Sequence, residues 1–151
     1  HLEERVAAEI ELGEAMAEVV AAHGGTMIRP GPDGAMAAFG VPVAHGNEPE
    51  RAVRAALALL RRLEVGSCRA RIGVACGLMV ADPGNPDRLA GGAARQATHL
   101  AERSQPGRIL CGHDIRSALG ERLAAEPAQD AWLVSQLNEG AEEHRARGAR
   151  R

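Results

Sequence analysis

The chain has 151 residues, 45% hydrophobic and 25% charged, with a formal net charge of −2, the size and balance of one ordinary soluble domain. Its lysine-plus-arginine count of 18 is arginine throughout, which excludes Schiff-base lysine chemistry and a phosphate loop built on lysine. Phe39 and Trp132 are the only aromatic residues, so a base-stacking surface for nucleic acid has nothing to be made from, and the near balance of charge argues against a phosphate-backbone binder.

The core must then be built from Ala, Val, Leu, Ile and Met, which bury less area per residue than aromatics, and a dimer interface would add to it. No apolar run reaches the length that spans a bilayer, and no basic stretch leads into an apolar one at the start, so a cytoplasmic location is expected. Cys68, Cys76 and Cys111 are odd in number and lack metal-ligand spacing; they read as reduced, small buried residues.

In chain order, residues 2–23 predict a helix with an apolar stripe of Val6, Ile10, Met16 and Val19/Val20, stopped at Gly24-Gly25. Thr26 to Arg29 and Ala35 to Phe39 predict two strands joined through Pro30-Gly31-Pro32-Asp33-Gly34. A second helix starts at Asn47, with Glu50 as its capping-box partner, and runs through Val53, Leu57, Leu60 and Leu63. Arg69 to Ala81 predicts a strand, 82–86 a loop, 92–103 a third helix, 108–111 a strand and 114–119 a short helix. From Ala124 onward the chain turns polar. The expected organisation is an α/β sandwich domain over 1–120 and a C-terminal extension over 121–151, part helical with a disordered tail.

The run from His23 to Pro42, with its HGG, basic strand, Pro32-Asp33-Gly34 turn and Phe39-Gly40, resembles the class III nucleotide cyclases, the adenylyl and guanylyl cyclases. Arg71-Ile72-Gly73-Val74-Ala75-Cys76-Gly77, the helix from Gly91 to Leu100, and Pro106-Gly107-Arg108-Ile109-Leu110 continue the likeness in order. The resemblance implies a ferredoxin-like cyclase homology domain with a mixed, mainly antiparallel sheet, helices on one face, and a first strand missing ahead of residue 1. It also implies two divalent ions, Mg or Mn, held by carboxylates against a nucleoside triphosphate, and a head-to-tail homodimer or a heterodimer with another cyclase domain.

Within that pattern Asp33 stands at a metal-carboxylate position, although an aspartate in a turn is also favoured for its backbone hydrogen bonds. The partner carboxylate belongs to the missing strand. Arg95 and His99 occupy the places of the family's asparagine and transition-state arginine. A residue that only donates replaces one that donates and accepts, and a partly charged ring replaces a permanent cation. Solvated or interface side chains are the plainer reading of both. Arg29 stands where the family has its purine-reading lysine, and Asp87 and Arg88 lie at the position that pairs with it. Two arginines cannot supply the donor and acceptor pattern that adenine requires. The expected function is a catalytically impaired cyclase-like domain serving as a regulatory or dimerisation module in bacterial signalling. The alternatives are an active two-metal cyclase and a metal-independent nucleotide or phosphate binder in which Arg29, Arg88 and Arg95 converge.

Overall fold

The computed structural model describes residues 2–31, 34–41, 44–66, 68–77, 80–82 and 85–138, with the backbone alone over 29–31, 80–82 and 85–90. The elements are α1 (Leu2–Ala22), β1 (Thr26–Gly31), β2 (Gly34–Ala38), α2 (Glu48–Glu64), β3 (Arg71–Val74), β4 (Val80–Asp82), β5 (Asn85–Ala90), α3 (Gly92–Arg103), β6 (Arg108–Cys111), α4 (His113–Leu119), β7 (Leu123–Ala128) and β8 (Ala131–Leu137). A four-stranded sheet runs β3-β6-β8-β7, while β1-β2 and β4-β5 form separate hairpins. Strands β3 and β6 are parallel, and every other pair is antiparallel. This is the mixed, mainly antiparallel α/β architecture expected from the sequence.

Both faces of the four-stranded sheet are covered. Val74, Ile109, Cys111 and Val134 point to one side, where they pack with Val53 of α2 and with Ile115 and Leu119 of α4. Leu110 and Ala131 lie on the other side, packed with Leu100 of α3. Strand residues alternate between faces, so α3 lies across the sheet from α2 and α4, whereas the resemblance implies helices on one face. Helix α1 packs on α2 through Ala8, Leu12, Ala15, Met16 and Val19, against Leu59 and Leu63. The expected stripe is therefore rotated: Met16 and Val19 are in it, but Val6 and Ile10 are exposed.

Three local expectations are also corrected. The strand expected over Arg69 to Ala81 ends at Val74 as β3, residues 75–77 lie outside any strand, and Asp82, Asn85 and Pro86, expected in a loop, belong to the β4–β5 hairpin. Glu50 is not a capping-box partner, and Asn47 makes no side-chain cap bond. The start of α2 is instead tied by Glu48 Oε1, which accepts from the amides of His45 at 2.6 Å and Gly46 at 3.0 Å. The segment from 123 onward is not a helical extension. It forms the β7–β8 hairpin, and β8 pairs with β6 inside the main sheet. Because both faces of β8 are buried, Ala131-Trp132-Leu133-Val134 shows none of the polar alternation that marks a half-buried strand. Pro127 is tolerated in β7 because that strand is the edge of the sheet. Residues 139–151 lie outside the described residues.

The hairpin is tied back to α2 by Glu50. Its Oε1 accepts from Arg54 Nη2 at 2.9 Å and from Arg122 Nη2 at 2.5 Å. Partial burial raises the Glu50 carboxyl, but the hydrogen bonds from Arg54 and Arg122 outweigh it and hold the group below the ordinary carboxylate range. A carboxyl depressed in the folded state adds stability above its unfolded pKa and loses it as pH falls through the folded value. Urea denaturation between about pH 7 and about pH 3 is therefore expected to show a smaller acid-induced loss for Glu50→Gln than for the parent chain. Equal losses would contradict the assignment.

Candidate functional site

Helix α3 carries the two residues expected to do chemistry, and a glycine sets its position. A Cβ on Gly73 would lie 2.2 Å from the Ala97 carbonyl oxygen and 2.5 Å from the Ala101 nitrogen. These are backbone atoms of α3 and cannot swing aside, so only glycine in the middle of β3 lets the helix axis come this close. Ala93, at 9% exposure, and Leu100, at 3%, form the buried side of the helix. Its C-terminus is closed by Ser104, whose amide donates to Leu100 O at 2.9 Å and whose Oγ donates to Arg108 O at 2.9 Å.

The last turn of α3 is clamped to the β7–β8 turn. Arg103 Nη1 meets Asp130 Oδ1 at 2.6 Å, and Nη2 donates to Gln129 Oε1 at 3.3 Å. Gln129 sits in the left-handed region at φ +60°, a strained conformation for a residue with a side chain. The hydrogen bond from Arg103 holds the Asp130 carboxyl below the ordinary carboxylate range, with a smaller contribution from the charge of His99.

The opposite side of α3 faces β2 across a shallow groove of about 340 Å³ lined by Met36, Ala94, Arg95, Thr98, His99 and Glu102. Arg95 and His99 thus share one groove, as their four-residue spacing requires. Both are exposed, and Arg95 makes no side-chain hydrogen bond or ion pair with any described residue. Thr98 and Glu102 complete the helix face; the spacing 95, 98, 99, 102 contained that signal, but the cyclase pattern drew attention only to 95 and 99. The Thr98 hydroxyl is engaged with Ala94 O at 3.0 Å.

Arg29 is the cross-strand partner of Met36 in the β1–β2 hairpin. Asp87 and Arg88 are in β5, which lies against β1. The backbone therefore brings the three expected nucleotide-reading positions onto the contacting strands β1 and β5. Asp33 lies outside the described residues.

The described residues do not fit a divalent-metal centre. Among them no group of three or more His, Cys, Asp or Glu side chains is placed to hold an ion, and Asp130 is committed to Arg103. The groove offers cationic and neutral donors with Glu102 as a lone acid, an arrangement suited to receiving an anion. Thiol chemistry is also disfavoured: burial pushes the Cys111 thiol up to about 11 and raises Cys68 and Cys76 as well. All three cysteines are free.

No protein-family model and no curated protein matches the chain in sequence. Solved structures do match it in shape. The guanylyl cyclase Cya2 superimposes with a TM-score of 0.76 at 18% identity, covering 93% of this chain and 85% of that one. The chain has the fold of a nucleotide cyclase domain. The monomeric guanylyl cyclase domain of the RhoGC fusion protein from the aquatic fungus Blastocladiella emersonii gives a TM-score of 0.80 at 16% identity over 92% of this chain and 85% of that one. The adenylyl cyclase CyaB from P. aeruginosa gives 0.69 at 18% identity over 89% and 82%. Among the described residues no helix is long and apolar enough to cross a membrane.

Two outcomes follow for this part of the cyclase fold. Gly73→Ala is expected to destabilise the chain by about 2–3 kcal/mol in urea denaturation, since the added methyl meets backbone rather than a movable side chain; a loss of only a few tenths would refute the close approach. In an NMR titration, Arg103→Ala is expected to move the Asp130 carboxyl up toward its ordinary range, whereas an unmoved titration would show that Arg103 does not hold it.

Proposed function

We propose that this chain is a class III nucleotide cyclase-like domain that is catalytically impaired and acts as a regulatory or dimerisation module in signalling. The observation that carries this reading is a preserved scaffold around an altered groove. Gly73 seats α3 on β3, yet the helix face across from β2 presents Arg95 and His99 where the cyclase pattern has a two-way hydrogen-bonding amide and a permanent cation, respectively. Pairing, on this reading, is head-to-tail, with itself or with another cyclase domain, so that the altered groove faces a partner's surface. One of the solved neighbours is a non-canonical dimeric guanylyl cyclase domain, which shows pairing in that protein but not its head-to-tail form, and another was solved with a bound ATP analogue.

The roles follow by position. Arg95, which has no side-chain partner among the described residues, binds phosphate; His99 donates a hydrogen bond beside it; Arg29, Asp87 and Arg88 flank the base end. Asp33 is the residue to which Mg or Mn would bind in an active form. A second reading, a metal-independent nucleotide or phosphate binder, is favoured by the unpaired guanidinium of Arg95.

Incubation of the purified chain with ATP or GTP and Mn²⁺ is expected to yield no cyclic nucleotide. Turnover that Asp33→Ala abolishes would overturn the impaired reading in favour of an active two-metal cyclase. Calorimetry without metal separates the second reading: nucleotide binding that is indifferent to Mn²⁺ and weakened about tenfold by Arg95→Ala, roughly 1.4 kcal/mol, would favour it.

A further inference from the structure

Helix α1 has two apolar faces, and the described residues cover one of them. The face built from Ala8, Leu12, Met16 and Val19 packs on α2. Leu2, Val6 and Ile10, which are 76%, 47% and 56% exposed, form a second ridge. At about 100° per residue, these three together with Gly13 and Ala17 fall within roughly 80° of arc, centred well away from the packed face. A Cβ on Gly13 would meet nothing within 4 Å, so the ridge runs into an open, small-residue notch.

The charges beside the ridge are mainly acidic, with Arg5, exposed one turn before Glu9, as the exception. On the helix wheel Glu9 borders it on one side, and Glu3 and Glu14 border it on the other. All three are exposed, and none makes a hydrogen bond or ion pair with a described residue. A solvated helix gains nothing from aligning three large aliphatic side chains in water, whereas such a ridge between acidic rows is the complement of a helix with an apolar ridge between basic rows. A second copy of α1 is poorly suited, because it would bring glutamate rows against glutamate rows.

We infer that the Leu2-Val6-Ile10 ridge of α1 is a docking surface for a basic amphipathic helix of a partner protein. The contact is independent of the α3 groove and of the function proposed for it. Apolar burial supplies the attraction, and the glutamates select the partner's charge and make the contact sensitive to salt.

The test uses fluorescence anisotropy of the whole chain with labelled helical peptides of about five turns, each with one leucine ridge, flanked by lysine in one peptide and by glutamate in the other. The lysine-flanked peptide is expected to bind, and binding should weaken several-fold as salt rises from about 0.05 M to about 0.5 M. The double variant Val6→Gln/Ile10→Gln should weaken it at least about tenfold. Both positions are exposed, so an unchanged circular dichroism melting curve will show that the variant is folded. Failure of the lysine-flanked peptide to bind, equal binding of the glutamate-flanked peptide, or undiminished binding to the variant would overturn the inference. So would self-association of the chain that the same two substitutions abolish, since the ridge would then belong to a second copy.

Discussion

The structure depends on the approach of α3 to β3 at Gly73. A four-residue strand is a small platform for a twelve-residue helix, and the contact works because a glycine removes the Cβ that would separate their backbones. The consequences run outward from that point. With the helix lying directly on the strand, Leu100 reaches Leu110 and Ala131 and closes the second face of the sheet. The outward side of the helix is turned toward β2, so the groove with Arg95 and His99 exists because its far wall is held in place. The Arg103 clamp on the β7–β8 turn fixes the remaining end, and the exposed ion pair there sets position more than it adds stability.

Around this contact the chain meets its shortage of aromatics by placing each one at a junction. Phe39 lies over Gly25, where a Cβ would come within 2.7 Å of its ring, and so covers the turn between α1 and β1. Trp132 sits at the edge of the main core. Its indole Nε1 donates to His113 Nδ1 at 3.1 Å, and the Arg116 guanidinium lies 5.1 Å from the ring centroid. That guanidinium is also bound to the Gly120 carbonyl, so one aromatic joins β8 to α4 and to the turn beyond it. Small aliphatic side chains fill the rest: Val53, Ile109 and Cys111 are fully buried, and a core of that kind tolerates little loss of volume.

How much of this was legible in the sequence varies with where the information resides. Helix α3 and strand β6 match the residues expected for them, because Gly91-Gly92 and Pro106-Gly107 punctuate the chain sharply at both ends. The β1–β2 hairpin was equally plain from its Pro, Gly and Asp. The β7–β8 hairpin was not, because β8 is apolar on both faces and β7 contains Glu126 and Pro127, which only an edge position permits. The rotation of the α1 stripe was hidden for another reason: Val6 and Ile10 are as hydrophobic as Leu12 and Val19, and periodicity cannot say which of two apolar faces meets α2. The approach at Gly73 is tertiary information; the residue stood within a familiar motif, but nothing local distinguishes a glycine of close contact from one of a turn. In the groove, the shared face of Arg95 and His99 follows from helical spacing alone, while the proximity of β5 to β1 requires the folded chain.

The chain has the fold of a nucleotide cyclase domain, and α3 is seated closely on β3 within it. The seat of α3 decides where Arg95 and His99 lie. An NMR spectrum of the folded chain tests it directly through the dipolar contact between the Gly73 α-protons and the amide proton of Ala101. The close approach predicts a strong cross-peak there, together with contacts from Leu100 to Leu110. Its absence, in a spectrum where the α2 contacts of Val74 and Ile109 are present, would mean that α3 does not lie on β3 and that Arg95 and His99 do not face β2.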